Sequence, residues 1–167
     1  TLAITGNLAA AGRTITKSGA GTARFGSVNA GALTIGAGTA AVLPSGGSAG
    51  ASRVNGLSIS QGARLDLTDN KLIIVGGNVG SWNGSAYTGV AGLVDSGRGD
   101  AGNALWDGPT GIVTSDTRAI NNGDLCSIGV ALAAQVKNIA ATATATFAGQ
   151  TVLGSDTLVM FTWGGDA

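Results

Sequence analysis

One eleven-residue sentence is written twice in this chain, and that duplication limits the fold more than any other feature. Leu33-Thr34-Ile35-Gly36-Ala37-Gly38-Thr39-Ala40-Ala41-Val42-Leu43 lies over Leu57-Ser58-Ile59-Ser60-Gln61-Gly62-Ala63-Arg64-Leu65-Asp66-Leu67, with Leu on Leu, Ile on Ile, Gly38 on Gly62 and Leu43 on Leu67. Each copy is an alternating strand, a glycine corner and a second alternating strand. One such unit cannot bury its apolar edge alone, but stacked neighbours can. The pattern predicts a mainly β protein: a parallel β-helix, or β-solenoid, followed by a small α+β C-terminal cap with one helix.

Weaker echoes extend the array. Gly19-Ala20-Gly21-Thr22 returns as Gly36-Ala37-Gly38-Thr39, with Phe25 corresponding to Val42, and Leu2-Ala3-Ile4 resembles the Leu-x-Ile openings at 33 and 57. Residues 1–75 are therefore assigned to solenoid repeats, with Pro44 to Val54 as a Gly/Ser insertion projecting from one corner. Alternation places Leu33, Ile35, Leu57, Ile59, Leu65 and Leu67 inside and Thr34, Ser58 and Asp66 outside. Arg64 and Asp66 are expected to share the solvent face as a weak ion pair.

From Leu72-Ile73-Ile74-Val75 the apolar run is continuous, as in a strand covered on both sides. Residues 76–123, rich in Gly, Asn, Asp and Ser, read as a long connection with a short helix around Val90 to Ser96. In 124–167, Asp124 is expected to cap a helix reaching Lys137, with Leu125, Ile128, Leu132 and Val136 on one stripe and Asn138 at its end. That helix would cover the last coil. Thr142 to Phe147, Val152-Leu153 and Thr157 to Trp163 then supply strands, with Ala148-Gly149-Gln150 as a turn.

Composition narrows the function classes. Nine basic and nine acidic side chains balance, every acid is Asp, and there is no histidine. Nucleic acid is not an expected partner, because phosphate binding needs clustered Lys and Arg, and the basic residues here are scattered. Without histidine a Ser-His-Asp hydrolase is excluded and the commonest zinc ligand is missing. Cys126 stands alone, so no internal disulfide forms, and its apolar neighbours mark it as a small buried hydrophobe. Apolar content is 44%, too high for a disordered chain, yet no stretch is apolar enough to span a membrane. The chain begins at Thr1 with neither an initiator Met nor a signal peptide and is expected to be a piece of a longer protein.

Lys17-Ser18-Gly19-Ala20-Gly21-Thr22, then Gly31-Ala32-Leu33-Thr34-Ile35 and Gly38-Thr39, resembles the autotransporter-associated β-strand repeat of large Gram-negative surface proteins. That pattern runs Lys-x-Gly-x-Gly-Thr, Gly-x-Leu-x-Ile, Gly-Thr-Leu-x-Leu; Ala41 and Phe25 stand where it has leucines. The resemblance covers residues 13–75 and implies a right-handed parallel β-helix carried outside the cell. From Leu65 onward, Leu65-Asp66-Leu67-Thr68-Asp69-Asn70, Trp106-Asp107-Gly108-Pro109-Thr110-Gly111-Ile112 and Phe161 to Ala167 resemble the C-terminal segment that follows such repeats. In those relatives Gly-Asp-Ala commonly opens a dockerin-like calcium loop. Asp166 would be its first ligand, but the remaining ligands are absent and no metal is expected.

Candidate sites are few. A glycosidase needs two placed carboxylates, and Asp66 with Asp69 come nearest; with Arg64 they also approximate a polysaccharide-lyase cluster. Turn formation is the stronger expectation for both acids. Arg98-Gly99-Asp100 spells an adhesion tripeptide. Asp95, Asp100, Asn103 and Asp107 are oxygen ligands whose spacing fits no standard calcium loop. Trp82, Tyr87 and Trp106 are candidate glycan contacts, set against the plainer role of anchoring a glycine-rich loop. The resulting expectation is a non-enzymatic extracellular or cell-surface structural protein without cofactor, able to self-associate into a fibre or layer or to act in adhesion. The alternative is a glycan-binding or polysaccharide-cleaving β-helix.

Overall fold

The computed structural model describes residues 1–99, 106–120 and 126–164. Strand β1 (Leu2–Lys17) lies parallel on β2 (Thr22–Ile35), from Leu2 opposite Ala23 to Lys17 opposite Ile35, with register shifts after Ile4 and after Ala10. Each is long enough to serve two walls. The first half of β2 carries β3 (Gly38–Val42) and the second half carries β4 (Ser52–Ile59), both parallel. On these stack β5 (Ala63–Asp66) and β6 (Lys71–Ile74) respectively. The chain is a β-solenoid.

The two matched segments lie one over the other, but in two registers. Their first strands keep the sequence match, Leu33 opposite Leu57 and Ile35 opposite Ile59. Their second strands are offset by one residue: Gly38 faces Ala63 instead of Gly62, and Ala40 faces Leu65. The Ser60-Gln61-Gly62 corner, closed by Ala63 N–H donating to the Ser60 carbonyl, is one residue longer than Gly36-Ala37. Side-chain alternation has period two, so the simple match would set Arg64 on the buried Ala40. The offset sets Leu65 there instead, giving the column Ala40, Leu65, Ile112, each no more than 1% exposed. Gly38 sits at φ +66°, and a Cβ on it would lie 2.6 Å from the Ala20 carbonyl oxygen of the coil beneath. The seventeen-residue echo holds, with Thr22 opposite Thr39 and Phe25 opposite Val42. Leu2-Ala3-Ile4 does not continue the Leu-x-Ile column: it lies on Ala23 to Phe25, and Ile15 takes the place beneath Leu33.

The stretch expected as a decorated loop contributes to the solenoid itself. It carries α1 (Gly89–Arg98), which includes the anticipated Val90 to Ser96, then β7 (Gly111–Val113) and α2 (Thr117–Ile120). β7 stacks parallel on β5, so Ile112 extends an interior column. Three glycines seam α1 to this strand. A Cβ on Gly97 would strike the Ile112 carbonyl, one on Gly108 the Ser96 carbonyl, and one on Gly111, at φ +103°, the Leu93 carbonyl.

The helix expected from Asp124 to Lys137 is mostly strand; Asp124 and Leu125 lie outside the described residues. Cys126–Leu132 forms β8, and only α3 (Ala133–Lys137) is helical, ending at Asn138 in the left-handed conformation as anticipated. Ile128 and Leu132 fit a helical stripe, but Ile128 and Val130 also fit an alternating strand. A seven-residue antiparallel ladder with β11 (Thr157–Trp163), from Thr157 opposite Leu132 to Trp163 opposite Cys126, decides between them. Between α3 and β11 the hairpin β9 (Thr144–Phe147) and β10 (Gln150–Leu153) turns through Ala148 and Gly149, both at positive φ, the twist that two-residue hairpins favour.

β11 also pairs antiparallel with β6, Leu158 opposite Ile73. The parallel stacking stops there, because the next strand in the wall runs backwards. The continuous run on β6 has the expected explanation. Leu72 and Ile74 join the main core with Phe25, Val28, Leu33, Ile35, Val54 and Leu65. Ile73 faces out into a second core with Ala133, Phe147, Val152 and Leu158. Each such fully buried side chain contributes about 1.5–3 kcal/mol relative to exposure, so this outer core is what fixes the cap on the solenoid.

Candidate functional site

The polysaccharide-lyase and glycosidase candidates turn out to be corner chemistry. Asp66 is 8% exposed, and its Oδ1 accepts the backbone N–H of Thr68 at 2.9 Å and of Ser115 at 3.0 Å. The expected Arg64–Asp66 ion pair does not form, because the chain following β7 covers the carboxylate. Asp69 accepts the Ser45 N–H at 2.7 Å and lies 3.7 Å from Arg118. Between them Asn70, fully buried, donates through Nδ2 to the Leu43 carbonyl, the Leu67 carbonyl and Thr68 Oγ1, and accepts from Ser45 Oγ. Thr68 Oγ1 donates to Val42 or Leu67 carbonyl oxygen, and Thr114 Oγ1 to the Thr68 carbonyl. Leu65-Asp66-Leu67-Thr68-Asp69-Asn70 is thus a polar plug that satisfies the backbone of three successive corners. Buried polar groups demand this. Asp66 and Asp69 are held by N–H donors at a turn, not aimed together into a cleft.

Arg118 completes the cluster from α2. Its guanidinium is hydrogen-bonded to Asp116 at 2.9 and 3.0 Å, which holds the Asp116 carboxyl below its ordinary range and raises the Arg118 value in return. It also lies 4.9 Å over the Phe161 ring, a cation–π contact that ties α2 to β11.

Lys17 gives the Lys-x-Gly-x-Gly-Thr motif a physical role. Its ammonium donates to the carbonyls of Ser18, Gly19 and Ala37, at 3.2, 2.6 and 2.9 Å. It staples a corner of one coil to the corner of the next. The opposite edge of β1 has no strand partner among the described residues, and Leu2 and Ile4 are 62% and 37% exposed there.

The three aromatic candidates separate into two environments. Trp82 and Tyr87 face each other across an isolated antiparallel bridge, rings edge to face with centroids 5.2 Å apart, and are 57% and 50% exposed. The loop under them is tightly held. Asn83 Oδ1 accepts from the N–H of Ser85 and Ala86 and from Ser85 Oγ, while Thr88 exchanges two hydrogen bonds with the Ser81 backbone. Trp106 is buried, at φ +62°, an uncommon conformation for a bulky residue. Tyr87 and Trp106 meet at a cleft of about 240 Å³ between α1 and β8, with Val94, Ile128 and Val130 in its walls and Asp95 and Arg98 also lining it. Those two charged residues, one helical turn apart, were not singled out as a pair by the sequence reading. Their spacing becomes meaningful only once α1 extends to Arg98.

For the remaining motifs, Asp100 of the adhesion tripeptide, Asp100 and Asn103 of the calcium set, and Asp166 of the dockerin-like step lie outside the described residues. Among the described residues no group of three or more acidic, Cys or His side chains could hold a metal, and no helix is long and apolar enough to cross a membrane. Cys126 packs, partly buried, against the main core. No protein-family model matches the chain, and neither the curated proteins nor the solved structures offer a match to it.

Proposed function

We propose that this chain is a non-enzymatic structural scaffold of a bacterial cell surface, and that it associates end-on through β1. The observation that carries the reading is the asymmetry of the solenoid's ends. At one end the parallel stacking is ended by the antiparallel β11 and β8, and α1 lies over β7. At the other, among the described residues, β1 bonds only to β2, with Leu2 and Ile4 exposed. An edge of unpaired N–H and C=O groups is a template for another strand, and a coil from a second copy offers the matching groups. This open end favours pairing of copies; a fibre or layer then needs further contacts as well. The surface location and the kinship with autotransporter-associated repeats rest on the Lys17 motif and its staple between coils. The absence of catalysis is inferred from the use of Asp66 and Asp69 as backbone acceptors, and of the buried Asp156, which accepts the N–H groups of Gly76 and Leu153.

Sedimentation velocity over a concentration series, with negative-stain electron microscopy, tests this. Expected are pairs or larger ordered assemblies that Ile4→Lys disperses. Monomers at every concentration refute the association, and turnover of an acidic polysaccharide refutes the non-enzymatic role.

A further inference from the structure

We infer that the cleft between α1 and β8, together with the Trp82–Tyr87 pair at its mouth, is a binding site for a neutral saccharide. Sugars are recognised by two kinds of group at once. Aromatic faces take the apolar C–H side of a pyranose ring, and charged or amide groups at the rim take its hydroxyls in pairs. Both are assembled here. Tyr87 belongs to the cleft lining and to the exposed aromatic pair, so the surface runs from the Trp82 indole over the phenol ring and down toward Trp106.

The plain alternative for Trp82 and Tyr87 is that they anchor their loop by burial, and their exposure speaks against it. Rings that are 57% and 50% exposed lose much of the hydrophobic gain that burial would bring. The loop is already held by the Asn83 and Thr88 hydrogen bonds. A rigid platform loses little conformational freedom on binding. At the rim, Asp95 and Arg98 are exposed, share one face of α1, and belong to no salt bridge among the described residues. Arg98 offers paired donors and Asp95 paired acceptors, the complement of vicinal hydroxyls. Their charges cancel, so the rim gives a charged sugar no net attraction, and the ligand is neutral. The volume of about 240 Å³ falls below the roughly 300–1,000 Å³ of drug-sized pockets. It suits a single ring, with the next unit of an oligosaccharide lying across Tyr87 and Trp82. A ligand of that size on an open site binds in the roughly millimolar range.

The test is titration of the full chain with cellohexaose, maltohexaose and hexa-N-acetylchitohexaose, with pentagalacturonate as the acidic arm, followed by the indole N–H signals in NMR. Expected is saturable binding of at least one neutral oligosaccharide with a shift of the Trp82 indole. Tyr87→Ala and Arg98→Ala should each weaken it about tenfold or more, while Tyr87→Phe, which keeps the ring, stays within about threefold. Trp163→Ala serves as control, because Trp163 is 62% exposed but does not line the cleft. Tyr87→Phe also guards against mistaking an unfolded loop for a lost contact. No saturable binding to any neutral probe, binding of pentagalacturonate alone, or an equal loss on Trp163→Ala overturns the assignment.

Discussion

Replacing Asp156 by alanine removes the one carboxylate that joins cap, solenoid and connecting loop. Asp156 is fully buried; its Oδ1 accepts the Gly76 N–H and its Oδ2 the Leu153 N–H, each at 3.0 Å, and Oδ2 lies 3.8 Å from Arg53. Arg53 in turn donates to the Thr151 carbonyl at 2.9 Å. Without the carboxylate two hydrogen bonds to a charged acceptor are lost, each worth about 1.5–3 kcal/mol. Arg53 loses its counter-charge, but its side chain is 26% exposed and water takes up much of that cost. With water replacing part of what the carboxylate supplied, the sum is about 3–5 kcal/mol. That is a large share of the roughly 5–15 kcal/mol that holds a domain of this kind folded. With a urea m-value of about 2 kcal/mol/M, the unfolding midpoint should fall by about 1.5–2.5 M, read by circular dichroism and tryptophan fluorescence together. Arg53→Ala alone should cost about 1 kcal/mol, and the double-mutant cycle should give a coupling of about 1 kcal/mol or less. If Asp156→Ala costs under about 1 kcal/mol, or if the coupling to Arg53 accounts for the whole effect, the backbone donors do not carry the stabilisation and the reasoning fails.

Gly97→Ala improves helix propensity by up to about 1 kcal/mol, yet it should destabilise by more than about 2 kcal/mol, because the new methyl meets the Ile112 carbonyl; an unchanged thermal midpoint would refute the glycine seam. Asn70→Asp should cost about 3 kcal/mol or more at neutral pH, since a carboxylate oxygen replaces the amide that donates to Leu43 and Leu67. Burial raises the folded-state value of such a carboxyl, so this variant should regain stability as pH falls and the group becomes a donor; a pH-independent loss would sink that account. Asp116 behaves in the opposite sense. Its carboxyl is held below 3.8 by Arg118, so its contribution is complete above that value and disappears as pH falls through the lowered one. The part of the stability difference between the native chain and Arg118→Ala that comes from this ion pair should therefore disappear in strong acid when followed by urea unfolding, leaving the pH-independent contact with Phe161.

Much of the solenoid was legible from the residues. The Leu33/Leu57 and Ile35/Ile59 columns, the seventeen-residue echo, the doubly covered run at Leu72 to Ile74 and the hairpin at Ala148-Gly149 all follow from period-two patterning and turn chemistry. The burial of Asp66 was not legible, because alternation correctly turns it away from Leu65 but cannot say that the Ser115 segment, far along the chain, will cover it. The cleft between α1 and β8 was half visible. Tyr87 and Trp106 stood out as aromatics, whereas Asp95 and Arg98 gained significance only from the position of α1 against β8.

By itself, then, the sequence determined that coils stack and which side chains they bury, because stacking neighbours share a local pattern that each repeat carries within it. Tertiary structure alone decided how the stack ends. Cys126 to Leu132 satisfies helix and strand patterns alike, and β11 settled the choice by offering it a ladder of hydrogen bonds. Remote partners likewise helped turn Asp66, Asn70 and Asp156 into interior acceptors and donors. The physical reason is common to all three: a buried polar group takes whichever partners the fold brings within reach, and for each of these residues at least one lies far away in sequence.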